Sequence, residues 1–420
     1  MKINATKFYT ILFVLALFSQ LYVSSFRINI LFQLLLLAIY FFIEKPKISK
    51  LFAVQILPLF YIFGVGFGVF FFHKYHAFNL LKDIFHFIKP ILGLLIGYFF
   101  YKKINNFRVF VKTIVLCGFG SAIIHFMILL TLGNAFSGRL DAVREFAKDN
   151  FLELVALFFV LYYKKFENQS VFHFKRNQNI IIALLLISCI LYFSRTMIIV
   201  SFVILLTIHG YTYVNKKTIK VLGLIVLAIG VFYIYLFSIK IERRNFGFEA
   251  FLYKVKNAPE ELFTTKIDRE NHMDLWDHWR GYEAKRAFAL MEDSPSSFIV
   301  GTGHGSLVNL KFEAPLTGEE NKGLKFISEL HNGYIYIFYK TGAIGLVLLL
   351  MFLVSLYKQI YNKDNKNRFT TIWISAIGLL YLFTTLTITG IYNVRDIIIF
   401  ILGGLLYFHS EHNQKAIKPE

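Results

Sequence analysis

Apolar residues run through this chain in long, nearly unbroken blocks joined by short polar links. The blocks fall at 8–25, 28–43, 51–72, 84–101, 109–131, 151–163, 179–194, 196–214, 221–239, 333–357, 369–390 and 396–409. Segments of this kind suit the hydrocarbon core of a bilayer, which takes about 20 apolar residues per helical crossing. Backbone polar groups inside lipid must be satisfied within the segment, so each block predicts a helix rather than an open strand. The pattern therefore predicts an all-α polytopic membrane protein of about twelve transmembrane helices. The stretch 179–214 is open to two readings: a helix pair with a tight turn at Ser194-Arg195-Thr196, or one long broken segment.

One interval breaks the pattern. Residues 240–332 hold 15 of the 26 acidic residues, 13 basic ones, Trp276 and Trp279, and the histidines His272, His278, His304 and His331. An interval of this length is too long for a simple connector. It predicts a mostly helical loop subdomain between the ninth and tenth helices, with helical patterning best over 274–292. The expected organisation is residues 1–239 as nine membrane helices, 240–332 as the extracytoplasmic loop, 333–409 as three further helices, and 410–420 as a cytoplasmic tail. The end of that tail, from His412, reads as disordered.

Charge orients the helices. With a cytoplasmic N-terminus, the inside links carry Lys45, Lys47, Lys50, Lys102, Lys103, Arg108, Lys164, Lys165, Lys175, Arg176, Lys216, Lys217, Lys220, Lys358, Lys363, Lys366 and Arg368. The short outside links carry fewer, and this bias is the usual one for membrane proteins. It predicts both termini in the cytoplasm and the 240–332 loop outside it. The net charge of +19 is thereby accounted for without nucleic acid, for which no basic helix or aromatic platform outside the membrane speaks. The apolar blocks are too many and too dispersed for a signal peptide. Cys117 and Cys189 both lie inside apolar blocks and offer neither a disulfide framework nor a metal-ligand spacing.

Ionisable residues bordering the hydrocarbon default to a functional hypothesis. Arg195 lies between two apolar blocks; it is either a turn arginine snorkelling to the interface or a ligand for phosphate, which its fork of donors fits. His272, Asp274, Asp277 and His278 have the residue types of a metal site but no known spacing, and the expected metal is none. The run Gly301-Thr302-Gly303-His304-Gly305 lacks the Lys-Ser/Thr ending of a nucleotide loop. It reads instead as a flexible turn, with Gly301 and Gly303 leaving backbone N–H groups free to approach a ligand. His331, in Glu329-Leu330-His331-Asn332-Gly333-Tyr334, stands at the outer mouth of a helix. An imidazole there suits general-base work, or simply caps the helix.

Taken together these residues resemble the O-antigen ligase and O-antigen polymerase superfamily. The resemblance rests on Ser194-Arg195-Thr196, on Arg280 followed by Pro295 and Gly301-Thr302-Gly303, and on His331-Asn332 leading to Gly342-Ala343-Ile344-Gly345. Ala284 departs from the aromatic commonly found four residues after the arginine, so the sequence leaves Arg280 and Arg286 both open as the loop arginine. The resemblance covers roughly 180–345; the N-terminal half resembles the family only in topology. It implies a glycosyltransferase of the bacterial inner membrane, needing neither metal nor cofactor because a lipid diphosphate is already an activated leaving group. The implied donor is an undecaprenyl-diphosphate-linked glycan in the outer leaflet. The acceptor is the lipid A core (a ligase) or another lipid-linked repeat (a polymerase). The implied roles are diphosphate binding by Arg195 and Arg280, with Arg139 as a further candidate, and proton removal from the acceptor by His331. The alternative is a non-enzymatic flippase or transporter of lipid-linked glycan. Such folds commonly show internal symmetry, and none is visible here.

Overall fold

Every one of the twelve apolar blocks overlaps a helix in the computed structural model, which describes residues 4–131, 149–241, 247–264, 266–268, 271–315, 323–362 and 368–417. In chain order these are α1 (Ala5–Tyr22), α2 (Phe26–Ile43), α3 (Lys50–Phe70), α4 (Ala77–Ile104), α5 (Phe107–Thr131), α6 (Phe151–Glu167), α7 (Lys175–Leu191), α8 (Arg195–Ile208) and α9 (Lys216–Ser238). After α9 come five shorter helices, α10 (Gly247–Lys256), α11 (Ala258–Phe263), α12 (His272–Asp277), α13 (Trp279–Met291) and α14 (Ser297–Val300). Strands β1 (Val308–Ala314) and β2 (Leu324–Ile327) follow, then α15 (Gly333–Tyr357), α16 (Arg368–Ile388) and α17 (Ile398–Ile417). Among the described residues α1, α2, α3, α4, α5, α9, α15 and α16 are long and apolar enough to cross a membrane, and α8 and the Ile398–Glu411 part of α17 are shorter apolar stretches. The chain is an all-α polytopic membrane protein.

Side chains start many of the helices. Ser25, Ser49, Asn150, Ser194, Asn215 and Asn332 each accept a backbone N–H of the first turn, satisfying donors that have no partner within the helix. The 179–214 stretch is a helix pair: α7 ends at Leu191, Phe193 turns the chain at φ 44°, and Ser194 caps α8. Arg195 is thus the first residue of α8.

Three features differ from the sequence expectation. Helix α4 starts at Ala77, seven residues before the apolar block at 84, with His76 as its cap, and so carries Asp83, which is paired rather than solvated. Lys340 Nζ of α15 lies 2.6 Å from Asp83 Oδ2, and both side chains are fully buried. The loop expected to be mostly helical also holds an antiparallel hairpin, with Val308 opposite Ile327 and Asn309 opposite Phe326. Finally, α17 continues to Ile417, through residues read as a disordered tail.

Candidate functional site

The site is built on α13. This helix is seated by Trp279, Tyr282, Ala287 and Met291, all buried, and by the Tyr282 hydroxyl, which donates to the Leu310 carbonyl of β1 at 2.5 Å. Gly281 lets a neighbouring strand of chain lie directly against it: a Cβ there would meet the Thr264 carbonyl oxygen at 2.1 Å. With the helix fixed, Arg280 and Glu283 project three residues apart, which is one side of a helix and about 4.5 Å of rise.

Glu283 reaches His331. Its carboxylate accepts the His331 backbone N–H at 3.0 Å, and both its oxygens lie 3.1 Å from the ring Nδ1. The carboxylate side chain is 3 % exposed and the imidazole 51 %, so the pair presents a ring to solvent and a buried acid behind it. A proton on Nδ1 directed at the carboxylate leaves Nε2 with its lone pair outward, the arrangement of an oriented general base. The His331 carbonyl accepts the Thr389 N–H at 3.2 Å, and Asn332 caps α15, so the segment is held from α13, α15 and the end of α16.

Arg280 reaches Arg195 through a shared acid. Arg280 Nη1 pairs with Glu261 Oε1 of α11, and Arg195 Nη2 pairs with Glu261 Oε2 at 3.2 Å. Another Arg195 nitrogen donates to the Lys254 carbonyl. Burial, followed by the neighbouring Arg195 charge, holds the Arg280 guanidinium below its ordinary pKa, while Glu283 opposes that shift. The three side chains cluster in the wall of a cavity of about 690 Å³ between α8, α9, α10 and α16. Its remaining walls are mostly apolar, from residues such as Ile199, Phe232, Leu236, Leu252 and Phe383. A chamber with apolar walls and a cationic cluster fits an isoprenoid chain carrying a phosphate group. A second cavity of similar volume, between α3 and residues 294–307, has no arginine or lysine among the described residues that line it.

The other candidates lie elsewhere. Arg286 Nε donates to the Asn309 carbonyl at 2.9 Å, so this arginine fastens the hairpin while Arg280 faces the cavity. Arg139 lies outside the described residues. The glycine turn is packed inward, contrary to the expectation of free N–H groups. Gly301 N–H donates to Ser297, Thr302 to Tyr339, Gly303 to Lys340 and His304 to Gly66, and Gly305 N–H donates to Asp83 Oδ2 at 2.7 Å. The His304 ring is fully buried beside Phe87, and burial lowers its pKa to about 4. His278 Nδ1 lies 3.0 Å from Asp274 Oδ1 within one helical turn. Among the described residues no group of three or more His, Cys, Asp or Glu gathers as a metal cage.

Residues 180–350 match the sequence profile of the family described as O-antigen ligase. Over this stretch the chain is similar to the O-antigen ligase and polymerase superfamily. No curated protein matches it. The matched stretch begins inside α7, ends inside α15, and contains Arg195, Glu261, Arg280, Glu283 and His331. The similarity supports a coarse reading, a multi-pass membrane protein of glycan ligation. Sequence reasoning singled out Arg195, Arg280 and His331 but passed over Glu261 and Glu283. Glu283 had a signal, the three-residue spacing from Arg280; Glu261, on a six-residue helix in a polar loop, had none.

Proposed function

We propose that this protein transfers a glycan from undecaprenyl diphosphate to an acceptor hydroxyl at the outer leaflet of the bacterial inner membrane. The observation that carries the reading is the placement of Arg280 and Glu283 one turn apart on α13. One lines the apolar cavity with Arg195, and the other orients His331. A single rigid helix thereby spaces the leaving-group site from the base.

In this reading the isoprenoid lies along the apolar walls and the diphosphate meets Arg195 and Arg280. His331 Nε2 takes the proton of the acceptor hydroxyl as its oxygen bonds to the anomeric carbon. The bond from that carbon to the diphosphate oxygen breaks, and the electron pair leaves on the phosphate, where the guanidinium groups stabilise it. The acceptor is the lipid A core or a second lipid-linked repeat. Arg139 remains a candidate for the same anionic site.

The test is glycan transfer by the purified protein in proteoliposomes, with undecaprenyl-linked donor. His331→Ala is expected to lower turnover roughly 10²–10⁴-fold, the usual contribution of a general base, with donor binding retained. Arg280→Ala is expected to lose donor binding as well as turnover. Wild-type transfer by both variants would refute the assignment.

A further inference from the structure

The two arginines are not bare in this structure. Each gives one guanidinium nitrogen to a different oxygen of the same carboxylate, Glu261. Carboxylate and phosphate oxygens meet an arginine fork in the same way, so Glu261 stands where two oxygens of a diphosphate would bind. Its place is set by the fold: α11 runs into Thr264, whose carbonyl lies on Gly281, next to Arg280. Arg280 also keeps a buried Nε–H that has no partner among the described residues, a donor that Glu261 leaves unused.

Charge decides what must follow when a donor enters. Two guanidinium groups and one carboxylate leave a single positive charge, and an arriving diphosphate is more negative than that. In a partly buried site like charges at contact distance repel strongly, so the diphosphate and the Glu261 carboxylate cannot share both arginines. Resting on the reading of Arg195 and Arg280 as the diphosphate site, we propose that Glu261 is a resident counter-anion that exchanges with the lipid diphosphate. It keeps the half-buried arginines paired while the cavity is empty, yields to the donor, and by returning displaces the undecaprenyl diphosphate left after transfer.

A competitor built into the site lowers apparent affinity by the fraction of molecules in which the site is open. The experiment measures binding of undecaprenyl diphosphate to the full-length protein in nanodiscs. Glu261→Gln is expected to bind it roughly tenfold tighter or more and to be inhibited by it at correspondingly lower concentration in the transfer assay. Binding of uncharged undecaprenol stays as in the wild type. Glu261→Ala serves as the second variant should the glutamine form misfold, with the same expected direction. Unchanged or weaker diphosphate binding in the folded variants would overturn the exchange and make Glu261 a residue that merely positions the arginines. Arg195→Ala and Arg280→Ala separate the two failures. If they bind the diphosphate like the wild type, the diphosphate site itself is wrong. If they lose it while Glu261→Gln gains nothing, only the exchange falls.

Discussion

Glu283 holds His331 by ring and backbone at once, and a residue placed in this way acts through the histidine rather than on substrate. Its loss therefore belongs in kcat. Glu283→Ala is expected to lower kcat on the order of a hundredfold, by analogy with other groups that orient a catalytic histidine, with the KM for donor little changed. Glu283→Gln, which still accepts a hydrogen bond, should recover part of the loss. A wild-type kcat for the alanine variant, or a loss confined to KM, would remove Glu283 from the base. The same residues show what the sequence could and could not say. Arg195 and His331 were legible because a charge or an imidazole at the mouth of an apolar block is costly enough to need a reason. Their partners were not. Glu283 is 48 positions from His331, and Glu261 is 66 positions from Arg195 and 19 from Arg280. Pairings over such separations are properties of the packed fold.

At the scale of elements, the glycine turn and α15 interlock through two backbones in close contact. Gly301 has φ 82°, and a Cβ there would meet the Lys340 carbonyl carbon at 2.3 Å; Gly342 has φ 63°, and a Cβ there would meet the Ile299 carbonyl at 2.3 Å. At Gly342 the backbone of α15 leaves helical geometry, which kinks the helix against α14. Both positions combine a left-handed backbone with an approach that no side chain permits, so the motif serves packing. Gly301→Ala and Gly342→Ala are each expected to destabilise the protein by at least about 2 kcal/mol, seen as a lowered thermal midpoint in detergent. Midpoints within a degree of the wild type would show that the interlock contributes nothing. The glycines were readable as a motif but their role was not, because an inward turn and an open one have the same residues. The hairpin was closer to legible: Val308, Leu310 and Phe312 alternate with Asn309, Lys311 and Glu313, the period of a half-buried strand. The burial of Asp83 within α4 could not be read, since the lysine that pairs with it is 257 positions away.

For the whole molecule, the contacts between links sort them into two sets. In one, Arg27 at the start of α2 stacks on Phe78, Tyr75 donates to Thr302, Lys82 pairs with Glu329, Arg195 with Glu261, and Thr389 with His331. In the other, Lys103 pairs with Glu44, Arg108 donates to Ser170, Tyr357 to Thr212, and Tyr407 to Asn105. Links that alternate along the chain thus gather at opposite ends, and the second end is the one where the sequence concentrates Lys and Arg. The positive-inside bias predicts that this end is cytoplasmic and that the α13 site lies across the membrane from it. Single cysteines in a background lacking Cys117 and Cys189 test this directly. Lys74→Cys and Lys266→Cys, both at exposed positions, should react with an impermeant maleimide in spheroplasts, whereas the exposed positions of Lys45→Cys and Lys175→Cys should react only after permeabilisation. Labelling of Lys45→Cys before Lys266→Cys would invert the molecule. The inversion would matter chemically, because Arg195, Arg280 and His331 would then face the cytoplasmic leaflet. A donor presented from the outer leaflet could not reach them, and the proposed transfer would have to be abandoned whatever the fate of its individual residues.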